Sequence, residues 1–81
     1  MARVTVMPPF SGEFFGGRSE LEAEGTNLFR LIEALDALGP GFADEAESRV
    51  GFGVDGAVQT NWSQPLAPGA EVTVFARVAG G

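Results

Sequence analysis

The residues that invite a chemical reading stand at the end of the chain, where the strand-like run "EVTVFARV" closes on Ala79-Gly80-Gly81. Glycine has no Cβ, so a Gly-Gly end can lie in a narrow channel and present its carboxylate to a large reagent. Ala79-Gly80-Gly81 reaches about 10 Å at full extension. A closed channel of that kind suits activation of a carboxyl group with water excluded. The competing reading is an ordinary frayed terminus. Elsewhere the side chains leave little to work with. The 81 residues contain no cysteine, histidine or tyrosine, and the five basic residues (Arg3, Arg18, Arg30, Arg49, Arg77) are all arginine. Thiolate nucleophiles, cysteine metal sites and the commonest general base are excluded. A conventional active site would rest on carboxylates, Ser, Thr and Arg alone, so an autonomous enzyme is not expected.

Other candidates read as structure. Asp44, Glu45 and Glu47 could pair for acid–base or metal chemistry. They lack the spaced loop of a calcium site, and a solvated acidic turn available to a partner is the simpler reading. "GFGVDG" at residues 51–56 is G-x-G-x-x-G by letters but sits in a predicted strand and opens no helix. "SGEFFGG" lacks the Lys-Ser/Thr of a phosphate loop, so both are turn chemistry, with no cofactor or metal site. Trp62 is read as covering the edge of a small core. Phe75 alternates away from Val72 and Val74. It is either the apolar centre of an interface, with Phe14, Phe15 or Met7, or part of a second small core.

Eleven acidic residues against five basic give a net charge of −6, which disfavours nucleic acid and anionic membranes and suits either a basic groove on another protein or solubility alone. "MARVTVM" has no long apolar stretch, and no segment approaches the roughly 20 apolar residues of a membrane span. The expectation is a soluble, cytoplasmic protein.

The elements that must position the tail follow from periodicity. Residues 3–7 alternate as a strand that Pro8-Pro9 ends. Ser11 is the expected cap of a short helical turn carrying Phe14 and Phe15, stopped by Gly16-Gly17. Residues 18–25 alternate as an edge strand. Leu28, Leu31, Ile32, Leu35 and Leu38 form one apolar stripe, capped by Thr26 or Asn27 and terminated by Gly39-Pro40-Gly41. "FADEAES" reads as an irregular acidic turn over Phe42. Val50, Phe52 and Val54 alternate into an Asp55-Gly56 hairpin turn. The final strand has the strongest β pattern and is placed centrally, beside the first. This order predicts an α+β domain, one helix on one face of a twisted sheet.

"PLAPGAEVTVFARVAGG", with Pro65-Leu66, Gly69, Glu71-Val72 and Gly80-Gly81, resembles the ends of small sulfur carriers that include the molybdopterin synthase small subunit and the thiamin thiazole carrier. "GVDGAVQTNWSQPL" resembles their preceding hairpin and loop, and "VTVMPPFSGEFFGGRSEL" more loosely resembles the start of molybdopterin-type members. Ala76-Arg77 stands where that type often has Pro-Pro. The resemblance implies a ubiquitin-like β-grasp: a mixed, twisted sheet of four to five strands with one main helix, in a single domain (1–81) with a flexible tail (79–81). It implies that an E1-like adenylating enzyme uses ATP to activate Gly81. A sulfur donor enzyme then makes a thiocarboxylate, which a sulfur-accepting synthase subunit consumes. Gly80 would let the tail thread into partner sites, and Phe75, Arg77, Val78 and Ala79 would contact those partners. The implied product is molybdopterin, with thiamin thiazole, cysteine or another sulfur metabolite, or a ubiquitin-like conjugation module, as alternatives.

Overall fold

The computed structural model describes residues 1–77. Alternation in β1 (Ala2–Val6) buries Ala2, Val4 and Val6 and exposes Arg3 and Thr5. The chain passes through the short helix α1 (Phe10–Phe14) into β2 (Glu20–Ala23), which pairs antiparallel with β1 and forms one edge of the sheet. Helix α2 (Leu28–Leu38) then crosses over to α3 (Phe42–Arg49), which runs directly into β3 (Val50–Val54). A hairpin leads to the two-residue β4 (Ala57–Val58), and a long loop returns the chain to β5 (Glu71–Ala76). The sheet order is β2-β1-β5-β3-β4, and only the β1–β5 pair is parallel.

The central position of β5 beside β1 agrees with its sequence pattern. Val72 and Val74 face inward opposite Val4 and Val6 on one side, and Val54 and Phe52 on the other. Leu28, Leu31 and Leu35 of α2 are fully buried against this layer with Phe10, Phe42 and Phe52. Each such side chain contributes roughly 1.5–3 kcal/mol of transfer free energy. The stripe stops at Leu35, because Leu38, the last helical residue, is half exposed.

Two local expectations are corrected. "FADEAES" is not an irregular turn but helix α3. Its start is satisfied from outside, since Asp36 of α2 accepts hydrogen bonds from the amides of Gly41 (3.1 Å) and Ala43 (2.9 Å). Such orphan amide groups require a partner in any helix, and a carboxylate also suits the positive end of the helix dipole. Ser11 is not the cap of α1; Pro9 holds that position, and the Ser11 carbonyl accepts from Phe15 and Gly17.

Asn27 does cap α2, its side chain accepting from the Arg30 amide at 2.9 Å. Replacing it with Ala is expected to cost about 1 kcal/mol, read as a lower urea midpoint at unchanged m-value. Hydrogen exchange should quicken in the first turn of α2.

Candidate functional site

The candidate site is the end of β5, where the chain leaves the middle of the sheet. Strand β5 is held on both sides, so the direction in which it delivers residue 77 is fixed by two ladders. The Arg77 amide donates to the Arg49 carbonyl at 2.9 Å, extending the β3–β5 pairing one step past the strand. Arg49 lies at the junction of α3 and β3 and is itself tied down. Its guanidinium reaches Glu13 Oε2 at 2.9 Å and Glu45 Oε1 at 3.1 Å, and its Cζ lies 5.1 Å from the centre of the Phe10 ring. Hydrogen bonds to Glu13 and then Glu45 push the guanidinium pKa above the ordinary arginine value. A cross-linked node joining α1, α3 and β3 thus anchors the root of the tail.

Phe75 faces away from the helices, as its alternation predicts, and is half buried. Its ring lies over Gly51 on β3, where an added Cβ would sit 2.7 Å from Phe75 Cζ. The missing side chain is what leaves room for the ring against β3. Phe75 therefore belongs to the outer face. Phe14 and Phe15 do not join it: they pack with Phe42 on the helical side, at ring separations of 5.7 and 5.4 Å. Met7 is the member of the expected group that the register does bring close. Its amide donates to the Val74 carbonyl, and its side chain is 45% exposed.

Trp62 was expected at the core edge and is there, with its ring edge-on to Phe52 (5.3 Å) and to the exposed Phe29 (5.7 Å). Sequence reasoning missed its backbone role. The Trp62 carbonyl accepts from the amides of Leu28 and Phe29, closing the start of α2. Two small cavities meet beside it. One of about 180 Å³ is bordered by Phe75, Val58, Trp62 and Arg77, and one of about 290 Å³ by Phe29, Glu47, Trp62 and Arg77. Arg77 and Trp62 border both cavities, and Phe75 borders the smaller one. Val78, Ala79, Gly80 and Gly81 lie outside the described residues.

The remaining candidates are structural. Asp55 and Gly56 both have positive φ and form the β3–β4 turn, so "GFGVDG" is strand and hairpin. Glu45 serves Arg49, while Asp44 and Glu47 are exposed on α3. Among the described residues no three His, Cys, Asp or Glu side chains are grouped to hold a metal ion, and no helix is long and apolar enough to cross a membrane. A further cavity of about 580 Å³ lies on the outer sheet face around Arg3, Arg18, Glu20, Glu22 and Glu71, at the opposite end of β5.

No curated protein sequence matches the chain. Among solved structures, Mycobacterium tuberculosis CysO superposes with a TM-score of 0.84 at 19% identity, covering 96% of this chain and 100% of that one. A chain of the Amycolatopsis orientalis BexX/CysO complex gives 0.79 at 17% identity, with 100% of both chains covered. Haloferax volcanii SAMP1 gives 0.70 at 18%, covering 99% and 98%. At these identities the likeness is one of fold, and the fold is the ubiquitin-like β-grasp. The family model described as ThiS matches residues 13–81, from α1 through the terminal Gly-Gly. This chain belongs to the ThiS family.

Proposed function

We propose that the chain is a sulfur carrier that works through the carboxylate of Gly81. The observation that carries this reading is the ThiS family match extending through Gly80 and Gly81, on a strand held from both sides to deliver that end. A Gly81 carboxylate oxygen attacks the α-phosphorus of ATP in an E1-like enzyme, and pyrophosphate leaves. Hydrosulfide released by a donor enzyme then attacks the carbonyl carbon, AMP leaves with the bonding electrons, and loss of the S–H proton to water leaves a thiocarboxylate. The chain binds neither ATP nor metal itself and acts as co-substrate rather than catalyst. Its partners are the activating enzyme, the sulfur donor and an accepting synthase, in the cytoplasm. Phe75 and Arg77 would contact them at the root of the tail, with Val78 and Ala79 entering the partner's channel.

The resemblance of "VTVMPPFSGEFFGGRSEL" to the start of molybdopterin-type members favours molybdopterin over thiamin thiazole as the destination of the sulfur. The likeness to the CysO structures keeps a cysteine-forming or other sulfur-accepting partner as the alternative.

The test is incubation with the cognate E1-like enzyme, ATP and a sulfur donor, followed by intact mass spectrometry. The expected product is heavier by the exchange of one oxygen for sulfur, mapping to Gly81. Amide-linked adducts to other proteins without that exchange would instead indicate a conjugation module.

A further inference from the structure

A protein that carries an activated acyl group must keep its own nucleophiles away from it. The 81 residues contain no lysine, cysteine, histidine or tyrosine side chain. The five arginines stay protonated and present no lone pair for attack. The Ser and Thr hydroxyls lack an imidazole or amine base and are weak nucleophiles at their own pKa. Thr60, which borders both cavities beside Arg77, is of this kind. The side chains therefore offer no amine, and an α-amine carried on Met1 is the one left to place.

The fold disposes of that amine. Strand β1 runs parallel to β5, with Arg3 opposite Glu71. Met1 therefore lies two residues before that level, and Arg77 six residues beyond it. The separation along the strands is about 26 Å at ~3.3 Å per residue, close to the longest dimension of the molecule, 28 Å. Residues 78–81 span at most about 14 Å when fully extended. An antiparallel β1 would have brought the amine beside the tail; the parallel pairing places it out of reach.

We propose that composition and topology together make the activated end incapable of self-capture, so that only an external nucleophile can discharge it. The reaction avoided is the attack of an amine nitrogen on the Gly81 carbonyl carbon. The new C–N bond would form as the bond to AMP or thiolate breaks, the leaving group keeping the electron pair and the ammonium proton passing to water. The biological use of this property rests on the carrier reading. The property itself is chemical and can be tested without any activating enzyme.

The chain is prepared with a C-terminal alkyl thioester by thiolysis of an intein fusion. It is held dilute at about pH 9, where lysine amines are partly free, and followed by intact mass. The unmodified chain and Arg3→Lys, whose amine is at the far end, should both yield only the free acid, at equal rates. Thr60→Lys and Arg77→Lys place an amine at the root of the tail. They should yield a product lighter than the acid by one water, at a rate independent of protein concentration. The thioester should disappear at least about tenfold faster, as expected for a tethered reactant. Circular dichroism and Trp62 emission confirm that each variant is folded, and two root variants guard against one failing to fold. Water-loss product from the unmodified chain at a comparable rate, or hydrolysis alone in both root variants, would overturn the proposal. Failure of sulfur uptake with an activating enzyme would sink the carrier reading and leave this result standing.

Discussion

Deleting Gly80 and Gly81 yields a protein that folds and melts like the parent and takes up no sulfur. The folding half of this result follows from where the apolar burial lies. The side chains that fill the core run from Ala2 to Val74, and the last backbone bond tying the end of the described chain to the sheet is made by the Arg77 amide. Neither glycine contributes a side chain, and changes away from packed features stay within about 0.5 kcal/mol. The melting temperature should move by less than about 4 °C. The chemical half follows from geometry. Removing two residues leaves a carboxylate on Ala79, about 7 Å short of its former reach. A misplacement of even 1 Å costs about a hundredfold in rate when reacting groups must be aligned, so adenylation should fall below detection. Pyrophosphate exchange with the activating enzyme measures that step, and intact mass measures sulfur uptake. Retained uptake in the truncated chain would move the reactive group away from Gly81 and end the carrier reading.

How much of this was legible beforehand differs by element. The inward faces of β1 and β5 were readable because period-two alternation of valines depends only on the strand itself. The α2 stripe was readable as far as Leu35 for the same reason, at the helical period. Helix α3 was not. Only Phe42 and Ala46 mark its buried face, and the group that satisfies its first amides is Asp36 of the preceding helix. A cap supplied across a tight helix–helix junction has no local signature. At the site, the outward direction of Phe75 was legible, but its neighbours were not. Whether Phe75 meets Phe14 or Gly51 depends on strand register and on which face α1 covers, both tertiary properties. The closure of α2 by the Trp62 carbonyl was invisible because every residue has a carbonyl. The terminal glycines could be singled out by the poverty of reactive side chains elsewhere; their chemistry came from the family pattern.

Phe52→Ala should produce the opposite separation from the tail deletion: large loss of stability with the chemistry intact in whatever remains folded. Phe52 is fully buried in β3, paired in register with Val74 on the central strand, and its ring meets Trp62 edge-on. Truncation removes the ring from the core and opens a cavity beneath the indole, a change that costs about 3–5 kcal/mol. A domain of this size has roughly 4–12 kcal/mol in total, so the loss ranges from about a quarter of the stability to more than all of it. The melting temperature should fall by roughly 12–40 °C. Trp62 should report the change directly, with its emission shifting to the red as water reaches the ring. Because the Trp62 carbonyl holds the start of α2, amide exchange at Leu28 and Phe29 should quicken with it. Phe29→Ala is the control. Its ring touches the same indole from the solvent side and is 53% exposed, so its removal should cost only about 1–2 kcal/mol. Sulfur uptake by Phe52→Ala should scale with the folded fraction as temperature is lowered, while that of the tail deletion stays at zero. If Phe52→Ala instead melts within about 4 °C of the parent, the junction of β3, β5 and Trp62 is not the packed centre described here. The anchoring of the tail root to the sheet would then need another source.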